Sequence, residues 1–151
     1  MKTPATLAVL YAEDDPDDRL LAEMAHRESG AANPLLFVAD GEEALEYLRH
    51  SGRHADRIEP SQPGIILLDL NMPGIDGRET VRIIKSDPLL RRIPVVILTT
   101  SAAQVDIVRS YDAGANSYIV KPSAFGGLVR LFESLCDYWF DVNSFAREAR
   151  R

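Results

Sequence analysis

The sequence predicts an α/β domain, a parallel sheet with helices on both faces. Three observations predict it. Five short, largely apolar runs alternate along the chain with five segments patterned as helices, the alternation that builds parallel sheets. The runs are nearly continuous in apolar residues, not alternating, as strands buried on both faces are. The chain has 151 residues, 46% of them apolar, which suits one domain with one good core and is too apolar for disorder.

The elements follow in order. Leu7-Ala8-Val9-Leu10-Tyr11-Ala12 reads as a first strand running into Glu13-Asp14-Asp15. Pro16 then opens a helix, since proline suits the first helical position and Asp15 is a good N-cap. Leu20, Leu21, Met24 and Ala25 recur at helical spacing and predict its apolar face. Asp17 and Asp18 fall in its first turn, where negative charge suits the helix dipole. Residues 35–39 form a second strand, Asp40-Gly41 turns, and Ala44, Leu45, Tyr47 and Leu48 mark a second helix. Residues 50–64 are polar, with Gly52, Pro60, Pro63 and Gly64, and predict a long surface loop. Ile65-Ile66-Leu67-Leu68 is the third strand and ends at Asp69. A third helix spans 77–86 and stops at Asp87-Pro88. Residues 94–98 form the fourth strand, followed by Thr99-Thr100-Ser101. A fourth helix covers 102–113, with Ser101 as its candidate N-cap and Gly114 at its end. Residues 117–120 make a fifth strand ending in Lys121-Pro122. The last helix runs from 123 to 140. The domain therefore covers 7–140, and residues 141–151, with Arg147, Arg150 and Arg151, form a tail that frays.

Composition narrows the function classes. The net charge is −6, which argues against a nucleic-acid partner. Cys136 is the single cysteine, so an intramolecular disulfide and a cysteine metal cluster are excluded and a reducing compartment is favoured. Cys136 itself lies on an apolar helix face and reads as packing. His26, His50 and His54 lack metal-ligand spacing and read as surface residues. The N-terminus carries no signal-peptide pattern, and the apolar runs are too short to cross a membrane. The expected location is cytoplasmic, with no membrane partner.

In open parallel sheets, ligands bind beyond the carboxyl ends of the strands. Those ends carry Glu13, Asp14 and Asp15, then Asp69, then Thr99 and Thr100, then Lys121. Asp69 follows four aliphatic residues, and burial cannot account for it, because an unpaired buried charge is costly. Asp15 is explained by its capping duty alone. The other carboxylates would repel one another without a cation, and an oxygen-only ligand set suits Mg²⁺ or Mn²⁺. A carboxylate beside such a metal can attack phosphorus and form an aspartyl phosphate. The metal and Lys121 would neutralise the phosphoryl oxygens, and Thr99 would hydrogen-bond one of them.

These residues carry a resemblance. Glu13-Asp14, Asp69 with Met72-Pro73 and Asp76-Gly77, Thr99, and Lys121-Pro122 resemble the receiver domain of two-component response regulators, over residues 7–139. The resemblance implies a flavodoxin-like fold with strand order 2-1-3-4-5. It implies that Asp69 accepts phosphate from a sensor histidine kinase. Asp14 and Asp69 would bind Mg²⁺, with the Asn71 backbone carbonyl, and Glu13 would reach it through water. Thr99 would be the switch hydroxyl with Thr100 beside it, Tyr118 the switch aromatic, and Lys121 the phosphate-binding lysine. Asn71 and Ser101 would tune dephosphorylation, and the bond before Pro122 would be cis. Such a protein is no enzyme beyond its own phosphorylation and dephosphorylation. The long loop at 50–64, the segment Ile97-Leu98-Thr99-Thr100-Ser101 and the ending Tyr138-Trp139-Phe140 resemble the stand-alone regulators paired with bacterial phytochromes. About ten residues remain after Phe140, too few for an output domain.

The last helix points to a further partner. Its apolar residues, from Phe125 to Phe140, span about 200° at 100° per residue, wider than the stripe of a little over ~100° that a surface helix needs. With the fourth helix and fifth strand it would form a homodimer face, unless the tail folds back over it. Two other function classes stay open. One is a receiver-like interaction module that is never phosphorylated. The other is an aspartyl-phosphate phosphohydrolase of the haloacid dehalogenase type, which expects an aspartate where this chain has Asn71.

Overall fold

The structure, a computed structural model, describes residues 7–58 and 62–146. Five strands, β1 (Val9–Ala12), β2 (Leu35–Val38), β3 (Ile65–Leu68), β4 (Val95–Thr99) and β5 (Ser117–Val120), alternate with five helices. These are α1 (Pro16–Ser29), α2 (Gly41–Arg49), α3 (Gly77–Ser86), α4 (Gln104–Ala113) and α5 (Phe125–Cys136). The sheet is parallel throughout, in the order β2-β1-β3-β4-β5, as expected.

Burial explains the continuous apolar runs. All residues of β1, β3 and β4 are buried, because these strands are central and covered on both faces. Fully burying an aliphatic side chain contributes about 1.5–3 kcal/mol, so Ile65, Ile66, Leu67 and Leu68 make β3 a firm support. One core layer joins Leu10, Ile66, Leu68, Val81 and Ile84 on the α2–α3 side. The other joins Val9, Tyr11, Leu67, Phe132 and Leu135 on the α1–α5 side.

Three local expectations change. The inward face of α1 is Ala22 and Ala25, while Leu20, Leu21 and Met24 are exposed. α1 packs against α5, and small residues at the seam let the helices approach closely. α4 begins at Gln104, with Ala103 as an N-cap that makes no side-chain bond. The chain after α5 does not continue as α-helix to Phe140. It widens into a π-helical turn, Asp137–Val142, and the tilted rings of Phe140 and Phe145 then pack against each other beside Gly64. The tail therefore turns under the sheet instead of fraying at once; residues 147–151 lie outside the described residues.

The loop after α2 is tied down. It contains a 3-10 turn, Gly52–His54. Arg57 lies 4.0 Å from the centre of the Tyr47 ring, and the Gln62 amide donates to the Leu48 carbonyl at 2.7 Å.

Candidate functional site

Register aligns the strand ends. Ala12 pairs with Leu68 across β1 and β3, Leu68 with Ile97 across β3 and β4, and Thr99 with Val120 across β4 and β5. The residues following these strands share one rim, so Glu13, Asp69 and Lys121 meet there although 108 positions separate the first from the last.

Lys121 is the centre of this rim. Its ammonium donates to Glu13 Oε1 at 2.6 Å and to Asp69 Oδ2 at 2.9 Å, and a third carboxylate, Asp18 Oδ2, lies at 3.3 Å. Its backbone amide donates to the Thr99 carbonyl at 2.7 Å, which fastens the strand end behind it. The bond between Lys121 and Pro122 is trans, as are all peptide bonds among the described residues, and this corrects the cis expectation. The trans form is the lower-energy isomer of an X–Pro bond by about 0.5–1 kcal/mol, and Lys121 reaches both carboxylates from it.

Glu13 is buried, with its side chain 1% exposed. Burial pushes its carboxyl up, and the Lys121 hydrogen bond and the Asp15 amide oppose that shift. Burial acts to lower the Lys121 ammonium. The hydrogen bonds to Glu13 and Asp69, with the charge of Asp69, outweigh it and leave the lysine above its ordinary value. Beneath them, burial pushes the Tyr11 phenol up, so it stays neutral.

Asp69 is buried but for an edge at the rim. Its free geometry is restricted by the Asn71 amide, which donates to Oδ1 at 3.1 Å. The following turn is held close beneath it. The Gly77 amide donates to the Leu70 carbonyl at 3.2 Å, and a Cβ on Gly77 would strike the Asp69 carbonyl oxygen. Glycine is needed there for that approach. Gly74, at φ 80°, makes the turn before it. Asp76 caps α3 by accepting from the Glu79 amide at 2.9 Å.

The remaining predicted residues divide. Asp14 is exposed beside Glu13. Asp15 caps α1, accepting from the Asp17 and Asp18 amides. Thr99 is fully buried, and its Oγ1 has no hydrogen-bond partner. Such an orphaned hydroxyl costs free energy unless another group completes it. Thr100 and the Asn71 side chain face outward. The Tyr118 phenol donates to the Ser101 carbonyl at 2.8 Å, and the Ser101 hydroxyl donates to Asp106 Oδ2 at 2.6 Å.

Sequence reasoning missed Asp18. Its place in the first turn of α1 was explained by the dipole alone, yet it also contacts Lys121. No local signal pointed to it, because its partner Lys121 lies 103 positions away in the chain.

The donor set tests the expectation of a divalent cation. Glu13, Asp14 and Asp69 offer only oxygen, and with Asp18 they outnumber the single ammonium of Lys121. Among the described residues, no three His, Cys, Asp or Glu side chains already converge as a metal cage. A magnesium site does not require one, since one or two carboxylates completed by carbonyl and water oxygens suffice. The residues present fit a hard dication.

Comparison with known proteins is decisive for the family. The model of the response regulator receiver domain matches residues 9–133. The chain belongs to the response regulator receiver family. The receiver is 34% identical over 134 residues to the response regulator Rcp1 of Synechocystis, covering 89% of each chain. The Mn²⁺-bound form of Rcp1 superposes with a TM-score of 0.80 at 32% identity, covering 93% of this chain and 99% of that one. The phosphorylated cyanobacterial phytochrome response regulator RcpA gives 0.83 at 38% identity, covering 94% and 99%. The probable methanogenesis regulatory protein FilR2 of Methanothrix harundinacea is 38% identical over 136 residues, covering 89% of this chain and 84% of its own. Among the described residues of the receiver, no helix is long and apolar enough to cross a membrane.

Proposed function

We propose that this receiver takes a phosphoryl group from the phosphohistidine of a sensor kinase onto Asp69 and signals through protein contacts. One observation carries the reading: the Asp69 carboxylate is held against Lys121 at a strand-end rim, beside a buried Thr99 hydroxyl that has no partner. In the transfer, Asp69 Oδ attacks phosphorus, the P–N bond to the kinase imidazole breaks, and an acyl phosphate forms. Lys121 is placed to share its charge with the incoming phosphoryl oxygens. Thr99 Oγ1 supplies a donor for one of them. Asp14, Asp69 and the Asn71 carbonyl would hold Mg²⁺ or Mn²⁺, with Glu13 reaching it through water, and the cation would offset the charge on the transferred group.

A phytochrome-type kinase is the favoured donor. Two of the relatives, Rcp1 and RcpA, are response regulators, and RcpA is named as that of a cyanobacterial phytochrome. Leu20, Leu21 and Met24 give an exposed apolar strip on α1, the helix whose first turn carries Asp18 beside the rim, and the kinase would seat on that strip. The last helix, α4 and β5 form the homodimer face, where Val105, Val108, Tyr111, Val120 and Phe125 remain exposed. Sedimentation of the unphosphorylated protein at high micromolar concentration should give a dimer; a monomer removes this part of the reading. The protein acts in the cytoplasm, as its single cysteine suggests.

The test uses acetyl phosphate and Mg²⁺, read by intact mass. One phosphoryl should appear on the wild type and be absent from Asp69→Asn. A wild type that gains none from either acetyl phosphate or a cognate kinase leaves the unphosphorylated interaction module as the answer. Steady turnover of a phosphomonoester would favour the hydrolase.

A further inference from the structure

The loop between β4 and α4 is held by a chain of polar contacts outside the Lys121 rim. Arg78, in the first turn of α3, donates to Asp106 Oδ1 at 3.1 Å. Asp106, in the first turn of α4, accepts the Ser101 hydroxyl on its other oxygen at 2.6 Å. The Ser101 hydroxyl in turn accepts from the Ala103 amide at 3.3 Å, and the Ser101 carbonyl accepts from the Tyr118 phenol at 2.8 Å. Arg78 and Asp106 are each about a quarter exposed, at 25% and 28%, so solvent screens this pair only partly. Two residues upstream of Ser101, Thr99 Oγ1 is buried and without a partner. α4 has no capping side chain at Ala103, so Ser101 and Asp106 do the fastening that a cap would otherwise do.

We propose that Asp106 is a positioning residue: with Arg78 it holds the β4–α4 loop, through Ser101, in the arrangement adopted while Asp69 carries no phosphoryl group. This rests on the aspartyl-phosphate reading above and adds a restraint to it. Any phosphoryl mimic on Asp69 that recruits Thr99 must draw the loop against these contacts. The loop's competent arrangement is then a minor population, and the apparent affinity of the mimic is reduced by that fraction. Freeing Ser101 raises the fraction.

The test measures beryllofluoride binding in the presence of Mg²⁺ for the full chain, together with amide hydrogen exchange of residues 100–103 in the absence of beryllofluoride. Arg78→Met and Asp106→Asn should each tighten beryllofluoride binding by about threefold, the scale of a partly exposed ion pair, and speed exchange at Ser101 and Ala103. Arg78→Lys should stay close to wild type. Tightening separates this role from a purely structural one, since a variant that only loosens the fold binds the mimic equally or more weakly. A wild type that binds beryllofluoride while both variants bind it unchanged or more weakly overturns the proposal and leaves the phosphoacceptor intact. A wild type that binds none overturns both.

Discussion

The molecule contains two clusters with the same charge arithmetic and opposite settings. At the strand-end rim, Lys121 meets Glu13, Asp18 and Asp69. On the surface over α2, Arg53 meets Glu46 at 2.6 Å, Asp40 at 3.8 Å and Glu43 at 3.9 Å. Each is one cation among three carboxylates. The lysine side chain is 12% exposed and the arginine 50%. Water completes the second cluster whatever the protein does. The first must be completed by protein or ligand, because ions removed from water are stable only when paired. Burial thus leaves the charge balance of the rim to the protein's own groups, where water supplies it at the surface.

The sharpest way to break the contrast is to remove the two cations in turn. Lys121→Met leaves buried Glu13 and Asp69 facing each other, and should cost about 3 kcal/mol in urea unfolding at neutral pH. Glu13→Gln added to it should recover most of that loss; no recovery would mean that the lysine acts mainly through packing. A medium effect is expected at Glu43, which belongs to the surface cluster but is more enclosed than Arg53. Burial would raise its carboxyl, yet the Ala39 amide, His54 and Arg53 outweigh it and hold it below its ordinary 4.5. A lowered folded pKa contributes stability that is complete above the unfolded value of 4.5 and is lost as pH falls from there through the folded value. Glu43→Gln should therefore be less stable than wild type at pH 6, and the two should converge in acid below 4.5. A constant gap across that range would assign the effect to lost hydrogen bonds and not to charge. The smallest effect is expected from Arg53→Met, which should leave the urea midpoint unchanged within error, as exposed pairs contribute little.

How far the sequence could be read depended on whether a residue's role is local. The five strands were legible because central strands of a parallel sheet must be apolar on both faces. Asp15 as a cap was legible because capping is settled within three residues, as the bonds to the Asp17 and Asp18 amides show. Glu13, Asp69, Thr99 and Lys121 were legible because a polar residue after a buried strand lies at the rim of such a sheet.

The rest needed tertiary structure. Periodicity put Leu20, Leu21 and Met24 inward, but α5 lies so close that only Ala22 and Ala25 fit the seam. Ser101 looked like a local cap and instead bonds Asp106 and Tyr118. Asp18 joined the rim only once β5 brought Lys121 across to it. Local chemistry, acting over a few residues, determined the strands, the turns and the chemical types at the rim. Which carboxylates share the lysine, and which hydroxyl is left without a partner, was decided by segments far apart in the chain, because pairing energy depends on distance and burial that no stretch of sequence contains by itself.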